Sequence, residues 1–423
     1  LYGKNKTVGS LGGFEKYNFN LPTGFASTDT MLTATSTDIL NLTGVSVGLT
    51  GYENIKTVLV YTPNGTITGF TSQKDITEFR DEELPTSGDY ALGKTLFEVK
   101  VEENKKLIAE FTAPEKDEEV ISTTNNTLTL GADDNYFAAA GGIALDGDVT
   151  GKTLTINGAK IGKTGGSADI TFTDGVLFGK LGEKVEVTFD NGNVYGGYVQ
   201  SGDALQNAVN VNNVTIGKNI YGGYTQSGAV SQNAVSADNV TIGKGLYGGY
   251  TDSGDASSNR VTVANIQTNS AVYGGYTALG SSIGNSLTVS GSSTEIYGSV
   301  FGGRTENGDA SENIVTTNEG TILGRFFSVY GGYTDSGNAK NNKAVISGIN
   351  IIGSIYGGRS ISGSAFGNEV EMTVGEIGHY VYGGFTKTNE AFDNTVTIKG
   401  GSVDWSVSGG ESNSGAVISN KVT

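Results

Sequence analysis

The chain contains no cysteine, 4 prolines and a single histidine, His379, among 423 residues. The absence of cysteine excludes disulfides, thiolate metal sites and thiol nucleophiles, while leaving the compartment open. One histidine is too little for a Ser-His-Asp triad or a histidine metal cluster, so His379, beside Tyr380, reads as an exposed strand or loop residue. Basic residues are also scarce: 27 Lys and Arg stand against 44 Asp and Glu, a formal charge of −17. Nucleic-acid binding rests on Lys and Arg meeting phosphates, so that partner is excluded. Most of the acidic excess falls before residue 195, above all in Asp75–Val120, where acids and lysines mix as on a solvated surface. No run approaches the ~20 apolar residues of a membrane helix, so no membrane insertion by this segment is expected. No stretch at the start combines basic residues, an apolar run and a cleavage site, so no signal peptide is expected within it. A phosphate loop of the GxxxxGK[ST] type is missing. The Gly-rich nonapeptide of calcium-binding solenoids is missing too, leaving at most one weak calcium turn. No metal or other cofactor is expected.

Glycine, by contrast, is abundant, with 66 residues. It lacks the three-residue period of collagen, and the apolar residues are too regularly placed for disorder. The organising signal is an internal repeat. An aromatic followed by Gly-Gly marks Tyr195, Tyr221, Tyr247, Tyr273, Phe301, Tyr330, Tyr356 and Tyr382, with a degenerate copy at Ser408. The intervals are 26, 26, 26, 28, 29, 26, 26 and 26 residues. Twelve residues after every marker stands an asparagine: Asn207, Asn233, Asn259, Asn285, Asn313, Asn342, Asn368, Asn394 and Asn420. Each opens an alternating Asn-x-Φ-x-Φ run, the pattern of a half-buried strand. The residue before each marker is aliphatic. Seven residues after it stands Gly, as at Gly202, Gly228, Gly254 and Gly415, replaced only by Asn389; that substitution pattern predicts a turn residue with positive φ.

These columns predict an all-β fold, a right-handed parallel β-helix with one coil of ~26 residues per repeat. Strands ~4.8 Å apart would make nine coils a rod of roughly 40 Å. The two longer copies place their extra residues after Asn285 and Asn313. The asparagines are expected to form a structural ladder, each amide bonding its neighbours and the turn backbone. Residues 193–423 form the regular helix and 131–192 irregular transitional coils. Residues 1–130 form a β-rich module with hairpin-like runs: Lys56–Tyr61 with the turn Pro63-Asn64-Gly65, and the pair Thr95–Val101 and Lys106–Thr112. The ends also match one another. The half repeat at Asn420–Thr423, including Val422, continues in phase through Leu1 to the marker-like Leu11-Gly12-Gly13-Phe14. That fit predicts either tandem super-repeats or chains joined head to tail by strand addition, each completing the other's coil, with a chance cut of a longer array at the matching phase as the competing account.

Tyr-Gly-Gly-Tyr-Thr-x-Ser-Gly-Asp-Ala at Tyr247–Ala256, with Asn259 and Val261 downstream, resembles the passenger repeats of large autotransporter-type surface proteins from anaerobes with a Gram-negative envelope. Leu11–Thr35 resembles a module that interrupts such repeats. The resemblance covers most of residues 1–50 and 190–423 and implies a β-helical, often adhesive passenger on the cell surface or outside the cell. The full pattern of that family also has a signal peptide and a C-terminal membrane barrel, neither of which is in this sequence. A candidate binding strip lies three residues past the markers: Tyr198, Tyr224, Tyr250, Tyr276, Tyr333 and Phe385, sharing their column with Arg304, Arg359 and Glu411. Partly exposed stacked rings would grip sugars or a partner protein; the competing reading is that they merely stabilise the rod. Asp203, Asp255 and Asp309 share another column with Ala229, Ser281, Asn338, Ser364, Glu390 and Ala416, so no continuous carboxylate ladder and no convergent catalytic pair is expected. The expected function is a non-catalytic structural or adhesive fibre whose partners are itself, a surface protein or a glycan. The alternatives are a carbohydrate-active β-helix enzyme and a monomeric binding module.

Overall fold

The computed structural model describes residues 1–423 apart from 23, 54, 82–87, 164–167, 179–182 and 323–326. Strands dominate; among the described residues the helical turns are 3-10 turns at Lys116–Glu118 and Gly175–Phe178. Most strands pair in parallel with their equivalents one coil along, forming a parallel β-solenoid. The chain divides into two compact units, Leu1–Ile121 with Ile170–Thr188, and Ser122–Asp169 with Phe189–Thr423.

In the second unit each coil from Tyr195 on contributes to three sheets, to one of them through either one long strand or two short ones. The coil of Tyr195 contributes Val194–Ser201, Ala204–Leu205 and Ala208–Ile216. Their partners lie 26 residues on: Val194 opposite Ile220, Ala204 opposite Val230, Val209 opposite Val235. The same register runs to Val407–Ser412, Val417–Ile418 and Lys421–Val422. Alternation in Ala208–Ile216 puts Val209, Val211, Val214 and Ile216 inside and leaves Asn210 and Asn212 in water. Of the two longer copies, one spends its extra residues between Ser290 and Glu295, after Asn285. The other spends them after Ile322, where 323–326 lie outside the described residues.

The region expected to be irregular, 131–192, contains a coil in full register. Ala140 pairs with Tyr195, Ile143 with Tyr198, Val149 with Ala204, Leu154 with Val209 and Ile161 with Ile216. Ala140-Gly141-Gly142 occupies the marker position with alanine in place of the ring. The chain passes to the first unit over Ile170–Thr188 and rejoins this one at Phe189, which separates this marker from the next by 55 residues.

The first unit is also solenoidal at its start. Lys6–Val8, Thr30–Ala34 and Thr57–Tyr61 stack in parallel, as do Lys16–Asn20 with Ser46–Thr50 and Ile39–Asn41 with Thr66–Thr68. Pro63-Asn64-Gly65 is therefore a coil corner and not a hairpin turn: the strand after it pairs one coil back. Antiparallel strands Gln73–Asp81, Asp89–Glu102 and Lys106–Phe111 follow, the last also pairing antiparallel with Thr57–Tyr61. Phe19, Met31, Leu59, Ile67 and Phe97 are fully buried in its core. Leu11-Gly12-Gly13-Phe14, expected as a marker strand, lies outside any strand. Gly13 turns the chain at φ +78°, Leu11 packs on the core, and Phe14 is 58% exposed with its ring edge-on to Tyr17. Leu1 is exposed and its amino group donates to the Asn18 carbonyl. In the last coil Val422 is exposed, while Asn420 is bonded as the final rung of the ladder below.

Candidate functional site: the stacked side-chain columns

Nine asparagines line up one per coil, and those from Asn207 to Asn394 are buried to 1% exposure or less. Asn285 illustrates the bonding. Its backbone N–H and Nδ2 both donate to Oδ1 of Asn313, at 3.0 and 2.9 Å, and Nδ2 also donates to the Ala256 carbonyl at 2.8 Å. Its own Oδ1 accepts the same pair of bonds from Asn259. The chain of bonds runs from Lys152, whose N–H donates to Asn207, to Asn420. Every polar atom of a buried amide is thereby used, which is what burial of such a group requires.

The Gly-Gly pair exists because of this ladder and of close stacking. A Cβ on the first glycine would meet the carbonyl oxygen of its equivalent one coil on, 2.2 Å away for Gly196 and Gly222. A Cβ on the second would meet the asparagine amide, 2.5 Å away for Gly275 and Asn285. One residue that adopts the left-handed conformation in every one of these nine coils is the one just before the asparagine. Gln206, Gln232, Ser258, Gly284, Glu312, Asn341, Gly367, Asp393 and Ser419 all have φ between 53° and 63°. The positive φ expected seven residues past each marker is found only at Gly202 and Gly228. In that column glycine is selected by contact: a Cβ on Gly254 would lie 1.9 Å from the Gly228 carbonyl oxygen.

Three more ladders were not legible as such in the sequence. Four residues past the marker, the buried hydroxyls of Thr225, Thr251, Thr277, Thr305, Thr334, Ser360 and Thr386 donate to the glycine carbonyl of the preceding coil, at 2.6–2.8 Å. Eight residues past it, Oδ1 of Asp203, Asp255 and Asp309 accepts the backbone N–H of the next residue in the column at 2.7–2.8 Å. Two residues before it, Asn193, Asn219, Ser299, Ser328 and Ser354 do the same. The aspartates thus serve as coil-to-coil acceptors. Among the described residues no three His, Cys, Asp or Glu side chains are grouped to hold a metal ion.

The aromatic residues form two columns that touch. Marker rings from Tyr195 to Tyr382 stack 4.7–5.3 Å apart with planes 4–22° from parallel. Tyr198, Tyr224, Tyr250 and Tyr276 stack similarly, 5.0–5.3 Å apart, and meet the markers edge-on. Residues three apart in a regular strand face opposite ways. Here pairing passes from Tyr195–Tyr221 directly to Gly197–Gly223, so the first glycine is an extra residue that returns both rings to one face. Arg304 and Arg359 continue the second column, with guanidinium carbons 5.4–5.7 Å from the rings of Tyr276 and Tyr333, and 5.5 Å from those of Tyr333 and Phe385. Tyr250 donates to Asp252, Tyr276 to Glu306 and Tyr333 to Asp335. Burial, reinforced by Asp335, pushes the Tyr333 phenol up to about 12.

This arrangement bears on both readings of the strip. Tyr198 is 2% exposed, covered by Phe189 and Tyr195. Tyr224, Tyr250, Tyr276, Tyr333 and Phe385 are half-buried. Gripping a sugar ring needs a bare aromatic face, and here the faces of Tyr224 and Tyr250 are taken by the rings above and below, while Arg304 and Arg359 flank Tyr333. What reaches solvent are ring edges, so the strip acts as an outer apolar layer over the aliphatic interior.

One cleft is of a different kind. It has a volume of about 480 Å³ and spans three coils, with Asn350, Ile352, Glu376, Ser402 and Asp404 among its walls. His379 follows directly on its lining residue Gly378 and is half-buried, 5.1 Å from the Trp405 ring. No protein-family model, no curated protein and no solved structure matches this chain.

Proposed function

We propose that this chain is a non-catalytic structural or adhesive element of a bacterial cell-surface or extracellular fibre. Its residues 193–423 serve as a stiff stack that displays surface along its length. One observation carries the reading: the recurrent side chains, which in an enzyme would converge on a reaction centre, are consumed by coil-to-coil bonds and ring stacking. Such a stack is stabilised by nearest-neighbour contacts and lengthens without a new core. Val417, Ile418 and Val422 are each about half exposed on the last coil. A further coil laid there, whether of the same polypeptide or by strand addition from another, would cover them and continue the asparagine ladder past Asn420. Head-to-tail growth of this kind is part of the proposal.

Negative-stain electron microscopy of the purified chain over a range of concentrations tests it. Rods that join end to end and lengthen with concentration are expected; rods of one length at every concentration would reject growth. The enzymatic alternative has one observation in its favour, since Glu376 and Asp404 share a cleft. A glycosidase pair needs two carboxyls in different environments, and both of these are exposed. Incubation with oligosaccharides is therefore expected to leave them intact.

A further inference from the structure

The corner where each coil turns back towards its marker strand changes character along the stack. In the early coils it reads Gly217-Lys218 and Gly243-Lys244. In the later coils the aligned corner carries Tyr297, Phe327, Ile352, His379 and Trp405, tied in register by backbone bonds such as Gly378 to Ile351, Asp404 to Ile377 and Trp405 to His379. Tyr297, Phe327 and Ile352 are 37–41% exposed although coils lie on both sides of them, and Trp405 is 58% exposed. The Trp405 ring meets His379 at 49° and Tyr380 at 74°, so neither neighbour lies flat on the indole as the tyrosines of the columns lie on one another.

The cleft adjoins this corner. Asn350, Glu376 and Ser402 are register partners on three successive coils, which sets their side chains in a row at the ~4.8 Å strand spacing. Asp404 flanks the row and is followed at once by Trp405. The wall thus combines an apolar ledge at Ile352, an amide, a hydroxyl and two carboxylates, beside an exposed indole. At about 480 Å³ the cleft falls within the ~300–1,000 Å³ of small-molecule sites.

We propose that this cleft binds a neutral oligosaccharide, one pyranose resting its C–H face on Trp405 while hydroxyls of the chain donate to Glu376, Asp404 and the Asn350 amide oxygen. The chemistry selects that class. Carboxylates accept strong hydrogen bonds from sugar hydroxyls, and two of them with no Lys or Arg in the lining disfavour sialylated or uronic sugars by like-charge repulsion. The site goes beyond the fibre reading, which requires no ligand pocket, and the two stand or fall separately.

The chain has 1 tryptophan, so selectively excited tryptophan emission reports on the corner beside this cleft. The probes are lactose, cellotriose, maltotriose and chitotriose, with sialyllactose and trigalacturonate as anionic counterparts. At least one neutral probe is expected to change the emission saturably at concentrations up to about 10 mM, the weak end of specific binding, and to shield Trp405 from acrylamide quenching. Glu376→Gln combined with Asp404→Asn, both exposed positions, is expected to weaken that binding about tenfold or more, with an unchanged circular dichroism spectrum confirming the fold. The proposal is overturned if no neutral probe alters emission or quenching. Equal binding by the double variant, or tighter binding of the anionic probes, overturns it as well.

Discussion

The two units solve the same problem, a stack of parallel coils, with different interiors. The first fills its core with large apolar side chains, Phe19, Met31, Leu59 and Phe97 among them. In its coils from Tyr195 on, the second keeps mostly Val, Ile and Ala inside and adds a fully buried asparagine and a threonine or serine in most coils. A large apolar core tolerates volume-conserving exchange but gives no coil a marked register. A ladder of amides does the reverse, because each rung bonds only to an equivalent residue one coil away. The regular unit therefore repeats, while the first abandons parallel coils for antiparallel strands after three layers.

Substitutions separate the two designs. Asn285→Leu would strand the N–H and Nδ2 of Asn259 and the carbonyl of Ala256, buried groups worth ~1–3 kcal/mol each. A loss of about 3–5 kcal/mol is expected, read by denaturant unfolding with probes in residues 193–423. Leu59→Ala removes a fully buried side chain from the first unit and is expected to cost about 2–5 kcal/mol, lowering that unit's transition and leaving the other in place. Gly275→Ala should cost about 1–3 kcal/mol by overpacking against Asn285. If Ala is tolerated there without loss, the account of the glycine pairs is wrong.

A smaller effect is tied to pH. Glu119 in the first unit is 7% exposed, and burial, with Asp81 adding to it and Lys116 opposing, raises its carboxyl to about 7. Its folded-state value lies above the ordinary carboxylate range, so the unfolded chain ionises first as pH rises. The stability it contributes is complete below about 4.5 and is lost between there and about 7. Glu119→Gln should flatten that decline, by at most about 3 kcal/mol in a urea titration against pH. Smallest of all, Tyr276→Phe removes a half-exposed hydroxyl bond to Glu306 and should cost less than about 1 kcal/mol.

Much of the regular unit was legible because a coil is short and its columns recur at one interval: the parallel solenoid and the Asn-x-Φ-x-Φ strand follow from periodicity alone. The coil at Ala138–Ile161 escaped because alanine replaces the marker ring and an excursion stretches the interval. Side-chain facing escaped for a local reason. A Gly-Gly bulge shifts the pleat by one residue, so Tyr198 could be counted on a strip but not seen to be buried. The left-handed position was hidden by its variety, since Gln, Ser, Glu, Gly, Asn and Asp all fill it. The cleft at Glu376 and Asp404 carries no repeat, and only the stacked coils bring its wall together.

The central claim, that the buried side-chain ladder holds successive coils together, is tested most directly by native-state hydrogen exchange across residues 193–423. The account predicts that the backbone N–H groups of Asn233, Asn259, Asn285, Asn313, Asn342 and Asn368 exchange only through cooperative unfolding of the stack, with closely similar protection. Fast exchange of these amides in otherwise folded protein would contradict it.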